Sequence, residues 1–208
     1  MWTEISTQGL DLILNTTQNI LISPHNGPWL AWLGGYPDES SQISQTVTIP
    51  AGRSILHFWL YTASADYYCG EDVFGILIGS NDDVVYSQWV CDSNDTYGWV
   101  HKTVNLTSYA GQMMEIKFLV GLDSVLNSSV FLDDISLEAT SSLSSSTSEN
   151  VILDRSDLDP TSHARIELIK DKRFSEIAIS NASYTEKYEE SEMINQEIRI
   201  LKNQLLTE

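Results

Sequence analysis

Between residues 43 and 137 the chain repeats one simple unit, a short run of β-branched and aromatic residues closed by a cluster of Gly, Pro, Asn or Asp. The runs are Ile43 to Ile49, Ile55 to Tyr61, Val73 to Ile78, Val84 to Val90, Trp99 to Leu106, Met113 to Val120 and Val130 to Leu137. Such residues fit a pleated, half-buried surface, and Pro50-Ala51-Gly52, Gly79 to Asp83, Asn94 to Gly98 and Ala110-Gly111 supply the turns. Alternation assigns faces: Val100, Lys102 and Val104 oppose His101, Thr103 and Asn105, and Met114, Ile116 and Phe118 oppose Glu115 and Lys117. Strands of this length at roughly ten-residue spacing predict an all-β sandwich or jelly roll over residues 1–139.

After residue 140 the period changes. Thr140 to Ser148 is a polar, low-complexity run that buries too little apolar surface to offset its ordering entropy, so 140–150 reads as a Ser/Thr-rich linker. Asp159-Pro160 then offers an N-cap oxygen followed by a residue whose missing N–H costs nothing in a first helical turn. Ile166, Ile169, Arg173 and Ile177 follow helical spacing, although Arg165 to Ile179 also carries a strand-like alternation, and both readings stay open. Ile194, Ile198, Leu201 and Leu205 step by 4, 3 and 4, a heptad register. Residues 151–208 are therefore predicted to be helical and coiled-coil-like. A lone helix of this length is marginal in water, so the segment is expected to form a homo-oligomer or to dock on a larger assembly.

Composition narrows the partners. The 208 residues carry 11 basic and 29 acidic side chains, a formal charge of -18 that repels phosphate backbones and anionic headgroups. No apolar run approaches the ~20 residues of a spanning helix, so neither nucleic acid nor membrane insertion is expected. The charge is uneven. Residues 1–139 hold three basic residues, Arg53, Lys102 and Lys117, against 16 acidic ones, leaving -13 there and -5 in the remainder. The six Trp and both Cys also lie in the first part. The N-terminus shows no basic start, apolar stretch and cleavage site of the secretory kind.

Three segments carry a family resemblance: Gly27 to Glu39 (GPWLAWLGGYPDE) continuing through Ile43 to Gly52, then Gly98 to Gln112 (GWVHKTVNLTSYAGQ), then Leu126 to Leu137 (LNSSVFLDDISL). In this order, across residues 23–139, they resemble a bacterial extracellular jelly-roll module related to carbohydrate-binding modules and MAM-type domains. The resemblance implies a β-sandwich recognition domain, an extracellular or virion-surface setting, and one structural Ca²⁺ near the terminal strand. It maps that ion to Asp133 or Asp134, with Asp38 and Glu39 as contributors, and solvated loop acids in a very acidic chain are the competing reading. Such modules begin with a strand carrying an acidic residue, which has no clear equivalent here. Gly9 to Leu14, another chain, or nothing would fill that edge.

Cys69 and Cys91 flank the two runs that turn at Gly79 to Asp83. If those runs form a hairpin, the two cysteines meet at its open end, and the resembling modules frequently show a pair there. A disulfide would contribute roughly 3 kcal/mol in the chain-entropy model and fits an oxidising setting; two buried free thiols are the alternative.

Catalysis finds little support. His25, His57, His101 and His163 are scattered without HExxH, GxSxG, a phosphate loop or CxxC, and His57 and His101 read as ordinary strand residues. The neighbouring acids Asp133-Asp134 and Glu71-Asp72 would point to opposite faces of a strand, so neither makes an acid/base couple. Glycan binding would instead use exposed rings, and Tyr36, Tyr67, Tyr68, Trp89, Tyr97 and Trp99 are the candidates. Trp29, Trp32 and Trp59, set among apolar neighbours, are expected in the core. The combined expectation is a non-enzymatic, multimeric appendage protein with a sandwich head for adhesion, such as a virion fibre, tail or capsid-decoration component. An accessory carbohydrate- or protein-binding module of a secreted peptidase or surface protein is the alternative.

Overall fold

The structure, a computed structural model, describes residues 1–140 apart from Asn19. The strands are β1 (Thr3–Ser6), β2 (Ile13–Asn15), β3 (Trp29–Gly34), β4 (Ser40–Thr48), β5 (Arg53–Ser64), β6 (Val73–Ile78), β7 (Asp83–Trp89), β8 (Val100–Asn105), β9 (Met113–Gly121) and β10 (Ser128–Thr140). They form two five-stranded sheets in the orders β1-β4-β9-β6-β7 and β2-β3-β10-β5-β8, antiparallel throughout, so the described residues form an all-β sandwich. Among the described residues no helix is long and apolar enough to cross a membrane. The calls for residues 141–208, including Ile194, Ile198, Leu201 and Leu205, lie outside the described residues, and Thr140 closes β10.

Alternation builds the core as expected. Leu56, Phe58 and Leu60 of β5, Phe74, Ile76 and Ile78 of β6, Ile116, Phe118 and Val120 of β9, and Val130 and Leu132 of β10 all turn inward. Phe58 is the hub, meeting Phe74, Tyr86 and Phe118 edge-on at centroid distances of 6.4, 5.9 and 5.7 Å. Burial pushes the Tyr86 phenol pKa well up, so the ring stays neutral beside its Gln88 partner.

The N-terminal edge is filled from this chain. β1 lies along β4, and β2 along β3, overlapping the expected Gly9 to Leu14 segment only at Ile13 and Leu14. β1 carries the acidic residue Glu4, whose carboxylate accepts the Leu12 and Ile13 N–H groups at 2.7 and 3.0 Å and so clamps the crossing between the two sheets.

The tryptophan expectation is corrected. Trp29 is 52% exposed, and Trp32 and Trp59 are half-buried on the outer face of the second sheet, paired there with Phe131 and Asp133. Their apolar sequence neighbours face the core while the indoles, one position out of step, face away. A second correction concerns β10. The register shifts between Asp133 and Ser136, and Asp134 takes φ 46°, so this bulge turns both neighbouring carboxylates toward the same loop instead of to opposite faces.

Candidate functional site

One end of the sandwich gathers four loops: 35–39, 65–72, 90–99 and 122–127. The 65–72 and 90–99 loops are joined by the disulfide Cys69–Cys91, with Cα atoms 5.2 Å apart, at the open end of the β6–β7 hairpin. They are tied further by Asp92 N–H to the Asp66 carbonyl (2.7 Å) and by the end of β5. There Ser64 N–H donates to Asp95 Oδ1 (2.8 Å), Thr62 N–H to Thr96 Oγ1 (3.0 Å) and Thr62 Oγ1 to the Asn94 carbonyl (3.0 Å).

From this braced frame Tyr67, Tyr68 and Tyr97 project, 70%, 88% and 82% exposed. Tyr97 also takes φ 52°, a left-handed conformation that costs an L-residue about 1–2 kcal/mol. Of the other rings expected in a ligand site, Tyr36 is half-buried in the 35–39 loop. Trp89 packs on Val73, Leu77, Val84 and Leu119, and Trp99 is half-buried on the second sheet with its indole N–H donating to the Ser23 carbonyl (3.0 Å). The candidate rings are thus divided: the three exposed tyrosines share the braced loops, and Trp99 belongs to another surface.

Behind the tyrosines lies an acidic cluster. Asp66, Asp72 and Asp123 each offer a carboxylate oxygen within 4.8 Å of the other two. Asp72 is 2% exposed. Its Oδ1 accepts the Asp123 N–H at 2.8 Å, while its Oδ2, equally buried, has no hydrogen-bond partner. Burial above all, helped by the adjoining Asp66 carboxyl, pushes the Asp72 pKa up to about 7; Ser128 and the Asp123 N–H pull the other way. Ser128 Oγ lies 3.5 Å from Asp66 Oδ2 and 2.7 Å from Ser64 Oγ, adding two buried hydroxyls. The sequence did not mark this triad, because Asp123 stands 51 residues from Asp72 and only the β6–β9 pairing joins them. Glu71 is exposed while Asp72 is buried, as expected of neighbours entering a strand.

The Ca²⁺ ligands that the resemblance implied do not converge. Asp133 Oδ2 accepts the His25 and Asn26 N–H groups at 2.8 and 3.1 Å, and Asp134 Oδ2 sits 2.7 Å from His25 Nδ1, on the outer face of the second sheet. Glu39 is fully buried at the loop end, where Oε2 accepts from Thr7 Oγ1 and Gln8 N–H, and Asp38 there donates its N–H to the Asp123 carbonyl. Asp133 and Asp134 thus bind a loop to the sheet, while Asp38 and Glu39 hold their contacts in the 35–39 loop.

That loop straps the outer face of the second sheet through Ser23, His25 and Asn26. It stacks His25 on Trp59 at 3.7 Å, beside Trp99 at 6.0 Å, and the row continues through His101 to His57, whose Nδ1 is 3.2 Å from His101 Nε2. His25 was not singled out in the sequence, where nothing near it signals the strap. A 160 Å³ cleft at the opposite end of the sandwich, beside Trp2, is lined mainly by Val47, Leu56, Ile116, Phe118 and Leu137 and brings no charged groups together.

No family model and no curated protein matches the sequence. Among solved structures the chain is similar to the carbohydrate-binding module TmCBM61 in complex with β-1,4-galactotriose (15% identity, 67% of this chain and 88% of that chain, TM-score 0.47). It is also similar to the K2 cleaved adhesin domain of Lys-gingipain (17% identity, 67% and 89%, TM-score 0.49). A bacteriophage CBA120 tailspike protein 4 domain matches in part (17% identity, 65% of this chain but 19% of that chain, TM-score 0.38). All three match at low identity and with TM-scores below 0.5.

Proposed function

We propose that the chain is a non-catalytic glycan-recognition and adhesion module whose contact surface is the braced loop end carrying Tyr67, Tyr68 and Tyr97. The observation that supports this most is the exposure of three tyrosine rings on two loops locked by a disulfide and main-chain hydrogen bonds. Large rings normally lower the free energy by burial; held out rigidly, they lose little further entropy on binding. Sugar C–H faces stack on flat π-surfaces, and the phenol hydroxyl supplies a hydrogen bond at the rim. Asp38, Glu39, Asp66, Glu71, Asp72, Asp92, Asp95 and Asp123 place eight of the 16 acids before residue 140 in the loops of this end, and none of Arg53, Lys102 and Lys117 is there. Neutral glycans are therefore favoured over sulfated or sialylated ones.

Display is part of the same proposal. The heptad positions Ile194, Ile198, Leu201 and Leu205 would gather several heads, so that weak single contacts sum to useful avidity, and a disulfide suits an extracellular or virion-surface setting. A glycan array probed with the full chain tests the reading. Binding to a neutral glycan that is lost in Tyr67→Ala, Tyr68→Ala or Tyr97→Ala, with the melting temperature unchanged, supports it. A clean absence of glycan binding overturns it.

A further inference from the structure

We propose that Asp66, Asp72 and Asp123 form a Ca²⁺ site that closes the 65–72 loop onto the 122–127 loop, at a place different from the one the sequence resemblance implied. Hard cations of this size take oxygen ligands at 2.3–2.6 Å, so ligands on opposite sides of one ion stand about 4.8 Å apart. All three carboxylates already meet that limit.

The second observation is the orphaned oxygen. Asp72 Oδ2 sits in a side chain that is 2% exposed and receives no hydrogen bond, while its partner Oδ1 is held by the Asp123 N–H. A buried carboxylate oxygen without a donor is costly, and a cation placed among the three carboxylates satisfies it directly. No ion pair among the described residues involves Asp66, Asp72 or Asp123; the Lys117 ammonium pairs with Asp82 and Glu115 instead. The buried hydroxyls of Ser64 and Ser128 beside Asp66 supply neutral oxygens toward a coordination number of six or more.

The site would do structural work on the recognition surface. Asp66 and Asp72 bracket the segment that carries Tyr67, Tyr68 and Cys69, and Asp123 anchors it to the neighbouring loop. An ion bound here would order the tyrosines, a consequence that rests on the glycan reading, whereas the metal site stands without it.

The experiment uses the full chain, freed of metal with EDTA and desalted, and titrated calorimetrically with CaCl₂ at neutral pH, with MgCl₂ in parallel. The expected result is one saturable Ca²⁺ equivalent, weaker Mg²⁺ binding and a higher melting temperature with Ca²⁺ than with EDTA. Asp72→Asn should lose that binding and still melt cooperatively in EDTA, while Asp134→Asn should keep it. No saturable heat and no melting shift at millimolar Ca²⁺ would overturn the site, as would binding that survives Asp72→Asn or disappears in Asp134→Asn. On a glycan-coated surface, Ca²⁺-dependent capture supports the ordering role. Capture indifferent to EDTA overturns that role, and absence of capture alongside intact Ca²⁺ binding overturns only the glycan reading.

Discussion

Replacing Asp72 by Asn, in the presence of EDTA, isolates the cost of the buried carboxylate. In the fold its pKa stands at about 7 against an ordinary 3.8. Between those values the native protein holds a proton that the unfolded chain has released, so this group's stabilisation is complete below about pH 4, declines as pH rises and is gone above about pH 7. About three pH units at 1.36 kcal/mol each give a decline of about 4 kcal/mol. Asp72 titrates together with the adjoining Asp66, so the figure belongs to the pair. Asn keeps the shape and cannot ionise. Urea unfolding of wild type and variant at half-unit steps from pH 4 to 8 gives the difference in stability at each pH, in which the other titrating groups largely cancel. That difference should move against the wild type by a few kcal/mol between pH 4 and 7 and then level off. Parallel curves across the range would refute the argument, because they would mean that Asp72 titrates alike in both states.

Removing the Cys69–Cys91 bond by a double Ser substitution should cost about 3 kcal/mol for a sequence separation of 22, read as a lower melting temperature. Asp133→Ala takes the acceptor from the His25 and Asn26 amides, and hydrogen exchange at those two amides should accelerate with a stability loss of about 2 kcal/mol. Gly34→Ala places a Cβ 2.7 Å from the Ser128 carbonyl oxygen at a backbone φ of +77°, so urea midpoints should fall by an amount equivalent to about 2 kcal/mol or more.

The sandwich was legible because alternation is a local signal. Met114, Ile116 and Phe118 face in, and Glu115 and Lys117 face out where Lys117 meets Asp82 and Glu115. Burial alone would lower the Lys117 pKa, but those two acids outweigh it and raise it. The strap and the bulge were not legible for the opposite reason. Asp133 meets His25 across 108 residues, and the left-handed Asp134 that permits it leaves no mark in a run reading Phe131-Leu132-Asp133-Asp134-Ile135. The indoles of Trp32 and Trp59 were misplaced because apolar character says that a ring is to be covered, not by which face. Here part of the cover is a loop.

The acidic composition gains meaning from where the fold puts it. A bulk charge of this sign is ordinarily a solubility property, spread to keep like charges apart. In this chain the 35–39, 65–72, 90–99 and 122–127 loops crowd half of the sandwich's acids at one end, and three of them come within 4.8 Å of each other. Folding alone gains nothing from that crowding, nor from holding three tyrosines in solvent a few residues away. Two local features that each oppose stability stand together on a frame braced by a disulfide and at least four hydrogen bonds, and the two proposed ligands, a cation for the carboxylates and a sugar surface for the rings, would offset them at one place.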